Sequence, residues 1–295
     1  MADLYLQNES IKIGINKHGA ELVSLIRLED EREYMWCGDS KFWGRVSPVL
    51  FPFVGKLNNQ KYIYNGTEYS NIPQHGFARD CEFYVVNQTN DTLWLELEKS
   101  DLMKEKYPFN YTLQIGYRIE GNSLHVMWMV RNDGNEALHF SIGAHPAFSC
   151  EGLFESKKYW FDFYNGASEL LSGELNLDGV LSKVEKSIAL DDGKLELTSS
   201  LFAQDALITS GKGINTVSIN DENGVVLKLR FDAPMLGLWS PAGKNAPFVC
   251  IEPWFGRCDR DDFSGDLSQR EYGNSLENGH SFNKEYVIDI PAVNQ

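Results

Sequence analysis

The stretch YTLQIGYRIEGNSLHVMWMVRN, residues 111–132, decides the fold class. Leu113, Ile115, Tyr117 and Ile119 recur at every second position, and beyond Gly121-Asn122 the same spacing resumes with Leu124, Val126, Trp128 and Val130. Side chains two residues apart share a face only in an extended strand, and a Gly-Asn pair between two such runs marks a tight reversal. The stretch therefore predicts an antiparallel hairpin with one apolar face.

The same period recurs outward in both directions. SIKIGIN (10–16) aligns Ile11, Ile13 and Ile15, and TLWLELE (92–98) aligns Leu93, Leu95 and Leu97. VVLKLRFD (225–232) predicts Val225, Leu227, Leu229 and Phe231 facing inward, and EYVIDI (285–290) aligns Tyr286, Ile288 and Ile290. Clusters such as Asn132-Asp133-Gly134-Asn135 and Asp221-Glu222-Asn223-Gly224 supply turns between strands. Helical periodicity is weak. The two candidates, Asp101 to Lys106 and Ser199 to Ala206, are short, and neither opens a βαβ unit with a glycine fingerprint. No Pro/Gly/Ser-rich linker and no internal repeat interrupts the pattern. The expectation is an all-β protein, a large antiparallel β-sandwich or barrel-like fold with few short helices, built as one domain over residues 1–295.

The 295-residue chain is 42% hydrophobic and 13% aromatic, the composition of an ordinary globular protein, and its formal net charge is −15. That charge, with no run of Lys and Arg to offset it, disfavours a nucleic-acid or anionic-membrane partner. It leaves an anionic small substrate open, because a few cations in a pocket dominate the local field. No signal peptide and no run of 18 apolar residues is visible, so a cytoplasmic protein is the expectation. Cys37, Cys81, Cys150, Cys250 and Cys258 are odd in number and widely spaced, which predicts reduced, mostly buried thiols.

Three segments concentrate ionisable residues beside glycine, proline and aromatics: PQHGFARD (73–80), SIGAHPAF (141–148) and CIEPWFGRCD (250–259). His145 and Glu252 each follow a strand-like run and precede a proline, which biases their backbones to an extended conformation at a strand end. Two readings stand for each residue. Alone, either histidine is a hydrogen-bonded structural residue, and Glu252 is half of an ion pair with Arg257 or Arg79. Together, two histidines, a glutamate and an arginine suit general acid–base catalysis near neutrality. Other chemistries fit less well. The histidines show no metal-ligand spacing, Ser141 and Ser240 lack a nucleophile elbow, and the acidic run CDRDD (258–262) reads as a solvated turn. Glycoside hydrolysis needs two facing carboxylates, for which Glu252 with Asp205 or Asp232 would serve.

With SPVLFPFVGKLNN (47–59) added before them, these segments in order resemble the aldose 1-epimerase (galactose mutarotase) superfamily, and its LacX-like branch most closely. The resemblance covers nearly the whole chain. It implies a β-super-sandwich and interconversion of the α and β anomers of an aldose without metal or cofactor. It further implies that His145 protonates the ring oxygen, Glu252 takes the proton from the C1 hydroxyl, and His75 binds and polarises the sugar.

That chemistry asks for a protonated His145 beside an ionised Glu252, which mutual attraction would favour. Trp254, Phe77 and Trp43 are candidates to stack on the sugar, each also readable as core. Lys56 stands where related sequences commonly carry arginine, keeping the charge but losing the planar fork. With Arg79 it offers a clamp for a sugar phosphate. The family's additional sugar-binding aspartate is assigned to Asp205, with Asp232 as the alternative. A hexose-6-phosphate 1-epimerase and a non-catalytic carbohydrate-binding protein are the competing functions, and the oligomeric state stays open.

Overall fold

The computed structural model describes residues 2–292. The hairpin forms as the sequence predicts. Tyr111–Glu120 pairs with Ser123–Asn132, setting Leu113 opposite Val130, Ile115 opposite Trp128, Tyr117 opposite Val126 and Ile119 opposite Leu124. Every one of these cross-strand pairs is buried. Apolar side chains meeting directly across an antiparallel pair are the unit that stabilises a sheet.

The hairpin lies within a nine-stranded antiparallel sheet. Its order is Lys194–Glu196, Tyr159–Asp162, Thr216–Asp221, Gly224–Phe231, Ser281–Asp289, Ser123–Asn132, Tyr111–Glu120, Thr92–Leu97 and Phe83–Gln88. A second sheet of eight strands has Phe248–Phe255 near its middle, flanked by Met235–Trp239 on one side and by Ile142–Ala144 and Ala147–Ser149 on the other. One continuous hydrophobic cluster, running from Leu6 to Ile290 in sequence, joins the two. Trp128 of the first sheet and Phe255 of the second meet edge to face, their rings 6.1 Å apart. The architecture is the antiparallel β-sandwich expected, and a smaller four-stranded sheet from Leu4–Gln7 to Arg32–Glu33 adds Ile11, Ile13 and Ile15 to the core.

Two local expectations fail. Ser199 to Ala206 forms turns rather than a helix, whereas Asp101–Lys106 is helical and is capped by the Ser100 side chain. In the strand Gly224–Phe231, Val225 is only half-buried and Val226 takes a buried place beside Leu227. The cause is a bulge in this strand itself: Ile219 pairs with Leu227 and the next residue, Asn220, with Val225, so Val226 is the extra, unpaired residue that breaks the alternation at the strand's start.

The strand Phe248–Phe255 matters most for function because all eight of its residues are buried. Its Val249, Ile251 and Phe255 face the shared core, while Phe248, Cys250, Glu252 and Trp254 alternate onto the other side. A strand covered on both faces reads as a near-continuous apolar run. Glu252 is the exception in that run, a carboxyl group 1% exposed.

Truncating Trp128 to alanine should destabilise the protein by about 3–5 kcal/mol, the usual cost of removing a large buried aromatic. Urea denaturation measures this, and an unchanged midpoint would show that the two sheets do not depend on this contact.

Candidate active site

The four motif segments meet because backbone hydrogen bonds tie three of them to the fourth. Residues 47–59 form the hub. Val49–Leu50 pairs with Gly143 and Ala144. The Phe51 carbonyl accepts from the N–H groups of Phe77 and Ala78 at 3.0 and 3.1 Å, and the Gly55 carbonyl accepts from His75 N–H at 2.8 Å. The Lys56 carbonyl accepts from Asp259 N–H at 3.0 Å.

A buried ion pair reinforces the hub. Arg270 donates from Nε to Asp259 Oδ1 at 2.8 Å and from Nη2 to the Arg257 carbonyl at 2.8 Å, while Asp259 Oδ2 accepts from Asn58 N–H at 2.9 Å. The guanidinium also lies over the Phe53 ring, 5.4 Å from its centre. Asp259 is therefore not part of a solvated turn. The reading of CDRDD holds for Asp261 and Asp262, which are exposed, and fails for Cys258 and Asp259 because Arg270, outside the run, reaches in to pair with the acid.

Strand register sets the His145–Glu252 geometry. Gly143 pairs with Trp254 and Ala147 with Cys250, so His145 falls opposite Glu252 across the gap between the two short strands. His145 Nε2 lies 3.4 Å from Glu252 Oε2. Trp43 stacks on the imidazole with ring centres 4.7 Å apart, and Trp239 meets it edge-on at 5.4 Å. Trp254 lies across two neighbouring glycines. A Cβ at Gly143 would come within 2.6 Å of its indole, and one at Gly237 within 2.5 Å, so both strands must be bare there for the ring to lie flat.

Electrostatics at this pair run opposite to expectation. Burial first, and then the nearby Arg79 and Arg45, push the His145 imidazolium down to about 3. Burial first, and then the Asp205 carboxylate, hold the Glu252 carboxyl well above the usual carboxylate range. Desolvation penalises whichever form is charged, so full burial moves both groups toward their uncharged forms. Burial therefore favours a protonated Glu252 beside a neutral His145, the opposite of the arrangement expected.

Above the pair opens a cavity of about 410 Å³, lined among others by Lys56, His75, Arg79, His145, Asp205 and Glu252. Volumes of about 300–1,000 Å³ are typical of small-molecule sites. Trp254 and Trp43 also line it, whereas Phe77 is packed in the core. Asp232 lies elsewhere, paired with Lys284 beside a groove on the nine-stranded sheet, so of the two aspartates only Asp205 reaches this cavity. His75 accepts a hydrogen bond at Nδ1 from Gly55 N–H at 3.1 Å, and its Nε2 lies 3.2 Å from the Gln74 side-chain amide. Burial, followed by His145, Arg79 and Arg45, keeps the ring neutral.

Neither arginine offered as an ion-pair partner of Glu252 takes that place. Arg79 donates to the Gln74 carbonyl at 2.6 Å and lies 3.7 Å from Asp80, while Arg257 pairs with Glu271. Burial, with Arg45 nearby, lowers the Arg79 guanidinium to about 10. Sequence reasoning missed Arg45, Gln74 and Trp239, all of which line the cavity. Arg45 binds Asp80 at 2.6 Å and so joins the PQHGFARD segment. The only signal for it is its position two residues before Ser47, where the first motif begins.

Fold and site together define a β-sandwich whose cavity is floored by a buried imidazole–carboxyl pair. The chain belongs to the aldose 1-epimerase family, whose profile matches residues 3–289. It is 30% identical over 296 residues to the plasmid-encoded protein LacX of Lactococcus lactis subsp. lactis, covering 96% of this chain and 95% of that protein. Among solved structures it is similar to a galactose mutarotase related enzyme from Lactobacillus acidophilus, at TM-score 0.90 and 32% identity over 98% of this chain and 97% of the other. A galactose mutarotase-like protein from Lactobacillus casei superposes at TM-score 0.91 with 28% identity, over 98% and 99% of the two chains.

Replacing Asp259 by alanine leaves Arg270 charged and buried, which typically costs about 3–5 kcal/mol. Denaturant unfolding of Asp259→Ala should show that loss. A stability within about 0.5 kcal/mol of the parent, the usual range of a surface substitution, would mean that the pair does not brace the hub.

Proposed function

We propose that this protein is an aldose 1-epimerase that interconverts the α and β anomers of a hexose by acid–base ring opening and closure. The observation that carries the reading is the His145–Glu252 contact at 3.4 Å beneath a sugar-sized cavity. Opening a hemiacetal removes one proton from O1 and delivers one to the ring oxygen. Rotation about C1–C2 then exposes the other aldehyde face, and closure reverses both transfers. Glu252 takes the O1 proton and His145 supplies the ring-oxygen proton, while His75, Asp205 and Trp254 hold the sugar. The transfer needs neither metal nor cofactor. We place the enzyme in the cytoplasm, acting as one domain.

The inverted proton preference suits this scheme. The pair carries one proton throughout. With a cyclic sugar the reactive arrangement is imidazolium and carboxylate; once the ring has opened, the proton from O1 is on Glu252 and His145 is neutral. Burial favours that second, uncharged arrangement, so ring opening discharges an ion pair that the dry site disfavours. The hydroxyls of an entering sugar supply the hydrogen bonds that make the charged arrangement accessible.

A second reading concerns the substrate. Arg45, Lys56 and Arg79 all line the cavity of a chain that is otherwise strongly acidic, which favours an anionic substituent and above all a hexose 6-phosphate.

His145→Ala and Glu252→Gln should each slow anomer exchange by about 10²–10⁴-fold, as removal of a positioned proton-transfer group does. Polarimetry and NMR exchange over a panel of aldoses and aldose phosphates provide the assay. Glu252→Gln keeps the shape and the neutral state burial prefers, so it should remain folded by circular dichroism. If the parent protein accelerates exchange of no sugar in the panel, the catalytic reading is wrong, and sugar binding without exchange would make it a binding protein instead.

For the phosphorylated substrate, inorganic phosphate should compete with the sugar at constant ionic strength. Lys56→Ala should weaken that competition about tenfold, equivalent to one charge-assisted hydrogen bond at the low end of about 1.5–3 kcal/mol. Competition equal to that of chloride would point to a neutral sugar.

A further inference from the structure

The strand Phe248–Phe255 places a third donor beside the His145–Glu252 pair. Cys250 and Glu252 are two residues apart and share a face, and Ala147, opposite Cys250, is too small to separate them from His145. One donor atom each from His145, Cys250 and Glu252 lie within 4.8 Å of one another, and all three residues are buried.

We infer that His145, Cys250 and Glu252 form a binding site for a thiophilic divalent cation of the Zn²⁺ class. Four observations carry this. The donor set of one imidazole nitrogen, one sulfur and one carboxylate oxygen is the mixed set zinc accepts. Bonds of about 2.0–2.3 Å put tetrahedral donors roughly 3.3–3.8 Å apart, so the three need close by only about 1 Å. Glu252 Oε2 and His145 Nδ1 are buried without hydrogen-bond partners, so the carboxylate has an acceptor atom unused. Finally, a thiolate and a carboxylate cancel a dication, so the complex is neutral in a site where burial penalises net charge.

The guanidinium groups of Arg79 and Arg45 oppose any cation nearby, and the neutrality of the loaded site is what limits that repulsion. Cys250 is buried among Trp36, Ala147, Ala246 and Phe248, while His145 and Glu252 line the cavity, so a metal held by the three would sit at the cavity floor. Given the function proposed above, metal and sugar exclude each other, because the metal occupies the groups that move the proton. Binding releases the Cys250 thiol proton and the Glu252 proton to solvent, with no change in oxidation state.

The test uses the full chain stripped by a chelator and titrated with Co²⁺ as a spectroscopic substitute. One equivalent should give tetrahedral ligand-field bands and a thiolate-to-cobalt charge-transfer band, displaced by Zn²⁺. The charge-transfer band should vanish in Cys250→Ser and persist in Cys37→Ser, with circular dichroism confirming that both fold. Absence of the band in the parent protein, or its survival in Cys250→Ser, overturns the assignment. In the same preparations Zn²⁺ should slow anomer exchange at least tenfold. A band without any exchange activity in the metal-free protein would leave the metal site standing and remove the epimerase reading. Exchange activity with no band would do the opposite.

Discussion

The buried pair of Asp259 with Arg270 is the contact on which the site's assembly depends. Asp259 is bound at once to Arg270, to the Asn58 N–H and, through its own N–H, to the Lys56 carbonyl, so one residue fastens the end of the Glu252 strand to residues 47–59. Those residues in turn carry the His75 loop and the strand that leads into His145. Two charges withdrawn from water gain little net stability from their attraction alone. Here each also satisfies backbone groups that would otherwise be buried without partners, which makes the pair specific to this arrangement.

A second constraint follows from the double burial of Phe248–Phe255. A strand covered on both faces has no wet side on which to place a carboxyl, so Glu252 enters the interior at the cost of its ionised form. Its neighbour His145 loses its charge for the same reason. On the function proposed above, such a buried pair would share one proton between two arrangements whose balance an entering ligand can move. Sugar hydroxyls and a divalent cation would move it by different means, the first by hydrogen bonding to the carboxylate and the second by replacing the proton.

Much of the fold was legible because alternation is a local property. Each run of apolar residues two apart reports its own strand, and the hairpin's faces follow from Tyr111 to Asn132 alone. Where alternation fails, pairing with another segment decides: Val226 is left unpaired between Leu227, opposite Ile219, and Val225, opposite Asn220, and the run of apolar residues does not say where that extra residue falls. Asp259 was misread for a similar reason, since Arg270 lies outside the acidic run that suggested solvent. The candidate site was legible as short polar and aromatic blocks at strand ends. Arg45 and Trp239 carried no such mark, and Gln74, though inside PQHGFARD, was not told apart from its neighbours, because a single cation, amide or indole acquires meaning only from what surrounds it.

The sequence by itself determined an all-β chain, a likeness to the aldose 1-epimerases resting on four ordered segments, and the identity of the residues worth testing. Only the tertiary structure decided which aspartate faces the cavity, what pairs with Arg79 and Arg257, and that Cys250 stands beside Glu252 and His145. It also decided the direction in which burial moves the proton affinities of that pair. Charge state depends on how much water a group retains and which charges lie nearby, and both are set by residues far apart in the chain, as Arg45 is from His145 and Asp205 from Glu252.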